Sequence, residues 1–173
     1  ILITGGSRSG KSAFAQQLAE QQDGSRLFLA TCPVTDDEME DRIQRHVADR
    51  EHSGWDTVEE QIDLVGQLER ASNYEVVLVD CLTLWVNNIM YEAQRSNIRL
   101  DEDEISQKTT DFIVAAQQHP GMVIFVTNEV GLGIVPGNED ARLYRDLVGR
   151  CNQQVAAVSD HVYLVSCGIP MQI

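Results

Sequence analysis

The stretch that decides the fold is ILITGGSRSGKSAFAQQLAE, residues 1–20. It begins with the apolar run ILIT, which predicts a short β-strand. Two glycines end this run, and a polar loop continues as far as Gly10, Lys11 and Ser12. The residues that follow the loop have the character of a helix. The stretch therefore predicts a strand, a tight glycine-containing loop and a helix in immediate succession.

The loop itself, GGSRSGKS (residues 5–12), matches the spacing G-x-x-x-x-G-K-[ST]. Its glycines let the backbone curl so that several N–H groups point towards phosphate oxygens, and the following helix adds its positive N-terminal end. In this motif the lysine, Lys11, contacts the β- and γ-phosphates, and the hydroxyl of Ser12 can bind Mg²⁺. The sequence thus predicts a nucleoside triphosphate site formed by Gly5, Gly6, Ser7, Arg8, Ser9, Gly10, Lys11 and Ser12, called the phosphate loop below.

The rest of the chain alternates between apolar runs and helix-like stretches. Strands are predicted at 1–4, 26–31, 76–81, 123–128 and 161–167, and helices at 11–22, 36–50, 59–71, 82–95, 102–118 and 139–158. Nearly continuous apolar runs are typical of parallel strands that are covered on both faces. Their alternation with helices predicts an open α/β sheet. We expect a single P-loop nucleotide-binding domain over residues 1–173.

Composition restricts the class of protein further. The chain of 173 residues is 43% hydrophobic and carries a net charge of −14, which argues against a nucleic-acid partner. It has no apolar run of the length that a membrane span requires, so none is expected. Four cysteines occur without a C-x-x-C pair, which is typical of the reducing cytoplasm. Cys81 and Cys167, at the ends of apolar runs, are predicted to be core thiols.

Further polar residues follow the predicted strands, at the sheet edge where open α/β proteins bind ligands. Asp80 ends the third run and can hold Mg²⁺ as a Walker-B carboxylate, although a strand-end aspartate is also a common helix cap. The fourth run leads into the glycine-containing loop TNEVGLGIVPGN (127–138). In that loop Asn128 and Glu129 either contact a substrate or cap the loop.

A histidine lies on the predicted helix in DDEMEDRIQRHVADRE, residues 36–51. His46 has Arg42 and Arg50 four residues before and after it, and Asp49 three residues after it. Two arginines could attract a phosphate towards an imidazole that acts as nucleophile or base. The alternative is a half-buried helix histidine paired with Asp49, and on spacing alone this structural role is the more common one.

Taken together, several segments resemble one enzyme family over nearly the whole chain. They are ITGGSRSGKS, DDEMEDRIQRH, VVLVDCLTLWVNN, VTNEVGLGIVPGNEDARLYRDLVGRCNQQVA and VYLVSCGIP. In this order they resemble the bifunctional adenosylcobinamide kinase / adenosylcobinamide-phosphate guanylyltransferase family. The resemblance implies a RecA-like P-loop fold and assembly as a homotrimer.

The resemblance also implies roles for individual residues. His46 matches the histidine that becomes guanylylated, and Asp80 matches the strand-end acid. Thr31, Cys32 and Pro33 match a nucleotide-contacting turn. Further nucleotide contacts are implied for His46, Val47, Ala48, Asp49 and Glu59.

Two linked reactions are implied by the family. The first phosphorylates adenosylcobinamide with ATP or GTP in the presence of Mg²⁺. The second transfers GMP from GTP through His46 to adenosylcobinamide phosphate, which gives adenosylcobinamide-GDP. From the residues alone, two other functions stay open. They are a plain P-loop small-molecule kinase and a RecA-like nucleotide-binding regulatory or motor subunit.

Overall fold

The computed structural model describes residues 1–33, 54–98 and 100–173. This part of the chain contains seven strands and five helices. The strands are β1 (Leu2–Gly5), β2 (Arg26–Ala30), β3 (Trp55–Glu59), β4 (Val76–Asp80), β5 (Met122–Val126), β6 (Val162–Ser166) and β7 (Ile169–Gln172). The helices are α1 (Lys11–Glu20), α2 (Leu64–Arg70), α3 (Leu82–Arg95), α4 (Glu102–Gln118) and α5 (Glu139–Val158).

All seven strands form one sheet, in the order β3-β2-β4-β5-β1-β6-β7. Every pair is parallel except β6 and β7, which are antiparallel. The parallel strands therefore end on one side of the sheet, the carboxyl edge. Because β5 lies between β1 and β4, the segment that follows β5 leaves the sheet between the phosphate loop and Asp80.

The central strands β1, β2, β4 and β5 are buried on both faces, which explains their continuous apolar runs. Alternate residues of β4 enter two different cores. Val77 and Val79 belong to the larger core beneath helices α2 to α5, where the rings of Trp85 and Phe112 pack edge to face at 4.9 Å. Val76 and Leu78 join the smaller core against α1. A strand that is buried on both faces has no solvent-exposed face, so its sequence lacks the alternation of polar and apolar residues.

Most of the predicted elements are confirmed. All five predicted strands are present within two residues of their expected bounds, and the helices at 82–95, 102–118 and 139–158 have the predicted bounds. Helix α1 ends two residues early, at Glu20. The helix predicted at 36–50 lies outside the described residues.

The prediction of a helix over 59–71 is wrong at its beginning. Residues Trp55–Glu59 form an edge strand parallel to β2, and the helix starts only at Leu64. The reason is local hydrogen bonding. Glu60 accepts the N–H groups of Ile62 and Asp63, each at 2.8 Å, and the Asp63 carboxylate caps the helix by accepting the Gly66 N–H at 2.9 Å.

The last strand was not predicted, and it changes the environment of one cysteine. The chain reverses at Cys167 and Gly168, whose φ angles are 52° and 79°, and β7 then pairs with β6. Cys167 is exposed in this turn. The prediction that it is a core thiol is therefore wrong, whereas Cys81 is buried as predicted.

The start of α4 offers a test of local stability. Asp101 accepts the Glu104 N–H at 2.9 Å, and the Glu104 carboxylate accepts the Asp101 N–H at 3.1 Å. Removing this capping box by Asp101→Ala should lower the free energy of unfolding by about 1 kcal/mol in urea denaturation. The control Asp103→Ala, in the same first turn but outside the cap, should change it by less than about 0.5 kcal/mol. Equal losses in both variants would contradict a capping role.

Candidate nucleotide site

The phosphate loop connects β1 to α1 and is held in place by its neighbours. The Glu129 N–H donates to the Gly5 carbonyl at 3.1 Å, and the Gly168 N–H donates to the Ser9 carbonyl at 2.8 Å. Gly10 caps α1 with a φ of 96°, and a Cβ on it would lie 3.1 Å from the Gly168 Cα. Only glycine combines this left-handed backbone with so close an approach.

Lys11 places a positive charge over this loop. It is the first residue of α1, its side chain is buried, and its Nζ donates to the Gly6 carbonyl at 3.1 Å. The N–H groups of the first turn of α1 have no partners within the helix and carry its partial positive charge. An ammonium group and several N–H donors thus converge at the carboxyl edge, which is the chemistry of a phosphate site.

Asp80 ends β4 at the same edge, two strands away from β1. Two inter-strand spacings correspond to about 10 Å, a separation that a magnesium-bound triphosphate can bridge. The Ser12 hydroxyl and the Asp80 carboxylate are hard oxygen donors, and Mg²⁺ is commonly held by one or two such groups together with phosphates and water. Over residues 1–33, 54–98 and 100–173, no three His, Cys, Asp or Glu side chains cluster to hold a metal by themselves. The oxygen donors of Ser12 and Asp80 fit Mg²⁺ delivered with a nucleotide.

A buried polar network supports this edge of the sheet from below. The Thr31 hydroxyl accepts the Cys81 N–H at 2.7 Å and donates to the Cys81 carbonyl at 2.9 Å. The Asn128 amide donates to the Thr83 hydroxyl at 3.0 Å, and that hydroxyl lies 2.5 Å from the Cys81 sulfur. The Asn88 amide donates to the Thr31 carbonyl at 2.8 Å. The network thus links the ends of β2, β4 and β5 to helix α3.

The titratable groups in this network stay neutral near pH 7. Burial raises the pKa of the Cys81 thiol, and the neighbouring Asp80 carboxylate raises it further. Burial likewise raises the pKa of Tyr144 to about 12, and its hydroxyl donates to the Thr83 carbonyl at 3.2 Å. Because a thiol attacks as its thiolate, Cys81 is a poor nucleophile here.

The structure brings several of the predicted site residues to one edge. Glu59 pairs with Ala30, which pairs with Asp80, so these positions lie side by side where β3, β2 and β4 end. Cys32 and Pro33 follow directly and are half-buried, whereas the Thr31 side chain is fully buried beneath them. The predicted residues His46, Val47, Ala48 and Asp49 lie outside the described residues.

The described histidines lie away from the phosphate loop. His119 precedes β5, where its ring bonds to the Ala71 carbonyl at 2.9 Å and accepts the Gly121 N–H at 3.1 Å. His161 precedes β6 and contacts the Gln172 amide at 3.2 Å. Both are at the amino ends of parallel strands, and a five-residue strand of about 16 Å separates them from the carboxyl edge.

The structure decides between the alternatives for Glu129, and it adds Asn88, which was not predicted. Glu129 is joined to the phosphate loop through its backbone, and its carboxylate accepts the Gly131 N–H at 2.8 Å, which favours loop capping over the alternative of a substrate contact. Asn88 is buried in α3, where most of the other buried residues, such as Val86 and Ile89, are apolar. Such a polar residue within an apolar stripe was the available signal for a structural hydrogen bond.

Comparison with known proteins agrees with this geometry. The family model described as "Cobinamide kinase / cobinamide phosphate guanyltransferase" matches residues 1–173. The chain belongs to this family. The P-loop α/β fold predicted from the sequence is therefore confirmed, and so is membership of a family of kinases and guanyltransferases.

Curated relatives of this cobinamide kinase / guanyltransferase family cover the whole chain. The Escherichia coli bifunctional adenosylcobalamin biosynthesis protein CobU is 41% identical, and the match covers 100% of this chain and 98% of the relative. The Salmonella typhimurium protein of the same name is 38% identical over 100% and 98% of the two chains. The Pseudomonas aeruginosa protein CobP is 35% identical over 99% and 95%.

The loop geometry can be tested through two of its glycines. Gly10→Ala should lower the free energy of unfolding by at least about 1 kcal/mol, because alanine is disfavoured at a φ of 96°. Gly6→Ala is the matched control, since a Cβ there meets nothing within 4 Å, and it should change that free energy by less than about 0.5 kcal/mol. Urea denaturation measures both, and equal stability of the two variants would contradict the described loop.

Proposed function

We propose that this chain carries out both reactions of its family in succession. It phosphorylates adenosylcobinamide with ATP or GTP, and it then transfers GMP from GTP to adenosylcobinamide phosphate. The observation that carries this proposal is the phosphate loop with Lys11 buried over it, in a chain that its family matches from end to end. One such loop can serve both reactions, because both use the triphosphate of a nucleotide.

In the kinase reaction, a hydroxyl oxygen of adenosylcobinamide attacks the γ-phosphorus. The bond from that phosphorus to the β-phosphate oxygen breaks, the hydroxyl loses its proton, and a nucleoside diphosphate leaves. The loop N–H groups and Lys11 hold the triphosphate and stabilise its charge, which is the main contribution of a protein to phosphoryl transfer. Ser12 and Asp80 would hold Mg²⁺ together with the nucleotide, and the ion would neutralise part of that charge.

In the guanylyltransferase reaction, a neutral imidazole nitrogen of His46 attacks the α-phosphorus of GTP. A phosphorus–nitrogen bond forms and pyrophosphate leaves, stabilised by the loop that held the β- and γ-phosphates. A phosphate oxygen of adenosylcobinamide phosphate then attacks the same phosphorus and releases His46, giving adenosylcobinamide-GDP. A covalent intermediate divides one difficult displacement at phosphorus into two easier ones. The described histidines, His119 and His161, lie at the opposite edge of the sheet. Of the other two histidines, His46 and His52, the family resemblance points to His46.

The proposal extends to assembly and location. A homotrimer in the cytoplasm follows from the resemblance. The exposed apolar side chains of edge strand β7, Ile169 and Met171, support a subunit contact, and four free cysteines support a reducing compartment. Among the described residues, the helices are too short or too polar to cross a membrane.

Lys11 tests whether a single loop serves both reactions. Lys11→Ala should reduce the kinase and guanylyltransferase rates by about 10²–10³-fold each, because both lose a charge-assisted phosphate contact. The chain has one other lysine, Lys108, which is exposed on α4, so Lys108→Ala is a matched control that should keep both rates. Steady-state rates and far-UV circular dichroism are the measurements. Full guanylyl transfer by the Lys11→Ala protein would require a second nucleotide site.

His46 tests the covalent intermediate. Incubation with α-³²P-GTP and Mg²⁺ should label the wild-type protein through an acid-labile, alkali-stable bond, whereas γ-³²P-GTP should leave no such label. His46→Ala should lose this label and retain GTP binding, and His161→Ala should keep the label. Labelling should also fall as the pH drops below the ordinary histidine pKa of about 6.5, because the attack needs a neutral imidazole.

Two outcomes of this experiment would contradict the proposed function. Label that persists on the His46→Ala protein would assign the intermediate to another residue. Kinase activity with no α-label on the wild-type protein would indicate a plain small-molecule kinase.

A further inference from the structure

Thr31 makes an unusual set of contacts at the carboxyl edge. It directly follows β2, and its side chain is fully buried. Its backbone N–H donates to the Asp80 carbonyl at 3.0 Å. Its hydroxyl accepts the Cys81 N–H at 2.7 Å and donates to the Cys81 carbonyl at 2.9 Å. One residue thus forms three hydrogen bonds to two consecutive residues, Asp80, which ends β4, and Cys81, which follows it.

These hydrogen bonds continue the contact between β2 and β4 beyond the point where their regular pairing ends. The regular pairing of β2 with β4 extends to Ala30 and Asp80. Beyond that pair, the Thr31 hydroxyl is the hydrogen-bond partner of the buried Cys81 N–H. It also donates to the Cys81 carbonyl, which accepts the Leu84 and Trp85 N–H groups of α3 as well, each at 3.1 Å. An unsatisfied buried N–H costs about 1–3 kcal/mol, so the bond from the Cys81 N–H holds Cys81 against Thr31. The Asp80 carboxylate branches from the Cα directly before these anchored groups, which are the Asp80 carbonyl and the Cys81 backbone.

Thr31 is itself anchored from the other side. The Asn88 amide donates to the Thr31 carbonyl at 2.8 Å and to the Gln61 carbonyl at 3.2 Å. Asn88 is buried in helix α3, which begins directly after Cys81. Helix α3, which follows β4, therefore holds Thr31 through Asn88, and Thr31 in turn holds the end of β4. This closed arrangement leaves the turn after Asp80 little freedom to shift.

The same contacts limit what the Thr31 hydroxyl can do for a nucleotide. A threonine hydroxyl has a single hydrogen to donate, and here the Cys81 carbonyl accepts it. The side chain also has no exposed surface. In the turn at residues 31–33, a nucleotide can therefore be contacted only by the backbone or by Cys32 and Pro33, which are half-buried.

We propose that Thr31 is a positioning residue, whose hydroxyl orients the Asp80 carboxylate towards the magnesium that accompanies the nucleotide. This inference rests on the proposed role of Asp80 in holding Mg²⁺. Residues that orient a ligand of a metal commonly change metal affinity by about 10–100-fold when they are removed. Loss of the Thr31 hydroxyl should therefore weaken magnesium-dependent nucleotide binding and spare the contacts of the phosphate loop.

The test measures GTP dissociation constants by calorimetry, with Mg²⁺ and with EDTA. Their ratio is the magnesium coupling. Thr31→Val keeps the shape and removes the hydroxyl, and it should lower the coupling at least about tenfold while the metal-free affinity stays near that of the wild type. Thr31→Ser restores the hydroxyl and should restore the coupling. Asp80→Asn should lower the coupling at least as far as Thr31→Val does.

A second buried threonine provides the control for a merely structural effect. Thr109 is fully buried in α4, and its hydroxyl donates to the Ile105 carbonyl at 2.7 Å. Thr109→Val removes a comparable hydrogen bond and should leave the magnesium coupling unchanged. If Thr31→Val does not fold, Asn88→Ala provides a second test. It releases the Thr31 carbonyl and should lower the coupling, and an unchanged coupling would contradict the proposal.

The outcomes separate this inference from the proposal on which it rests. Coupling lost in Asp80→Asn and kept in Thr31→Val would overturn the positioning role alone. Equal coupling in the wild type and in Asp80→Asn would overturn the magnesium role of Asp80, and the inference with it. Coupling lost in Thr31→Val and in Thr109→Val alike would show a general effect of stability and would also overturn the inference.

Discussion

The structure depends on the pairing of β1 with a parallel strand on each side. Because β1 runs between β5 and β6, its backbone N–H and carbonyl groups are satisfied in a dry interior, with Leu2 and Ile3 buried on opposite faces. The position of β1 determines where the chain leaves the sheet at the end of this strand. The phosphate loop starts at that point, and the segments after β5 and β6 brace it through the Glu129 and Gly168 N–H groups.

The strand order also determines where positive charge is presented in an acidic protein. A chain with a net charge of −14 repels anions at long range. At the carboxyl edge, however, Lys11 and the first turn of α1 present local positive potential at close range, where anion binding is decided. The acidic composition and the phosphate site are therefore compatible. A cation that accompanies the nucleotide is favoured by the same acidic composition, and the role that we propose for Asp80 is to hold it.

The polar network beneath this edge shows how a carboxylate can be held firmly at the end of a strand. Polar groups inside a protein are costly unless they are satisfied, and Thr31, Thr83, Asn88 and Asn128 satisfy one another or the backbone. By contrast, the Thr4 and Ser9 hydroxyl oxygens, in or next to the phosphate loop, are buried without a hydrogen-bond partner in the described part of the chain. In the same described part, the side-chain oxygen of Gln154 on α5 is also buried without a partner, so two of the three such groups lie at the phosphate loop.

The sequence by itself determined the elements whose cause is local or periodic. Five continuous apolar runs became buried strands, and the spacing of glycines and lysine in residues 5–12 defined the phosphate loop, because these signals lie in neighbouring residues. Strands β3 and β7 lacked that signal, since edge strands keep exposed polar or apolar side chains and take their pairing from a neighbour. Only the tertiary structure inserted β5 between β1 and β4, and only it brought Thr31 against Cys81, fifty residues away. Strand order and hydrogen bonds between distant residues depend on how helices and sheet pack together, which the residues next to them in the chain do not specify.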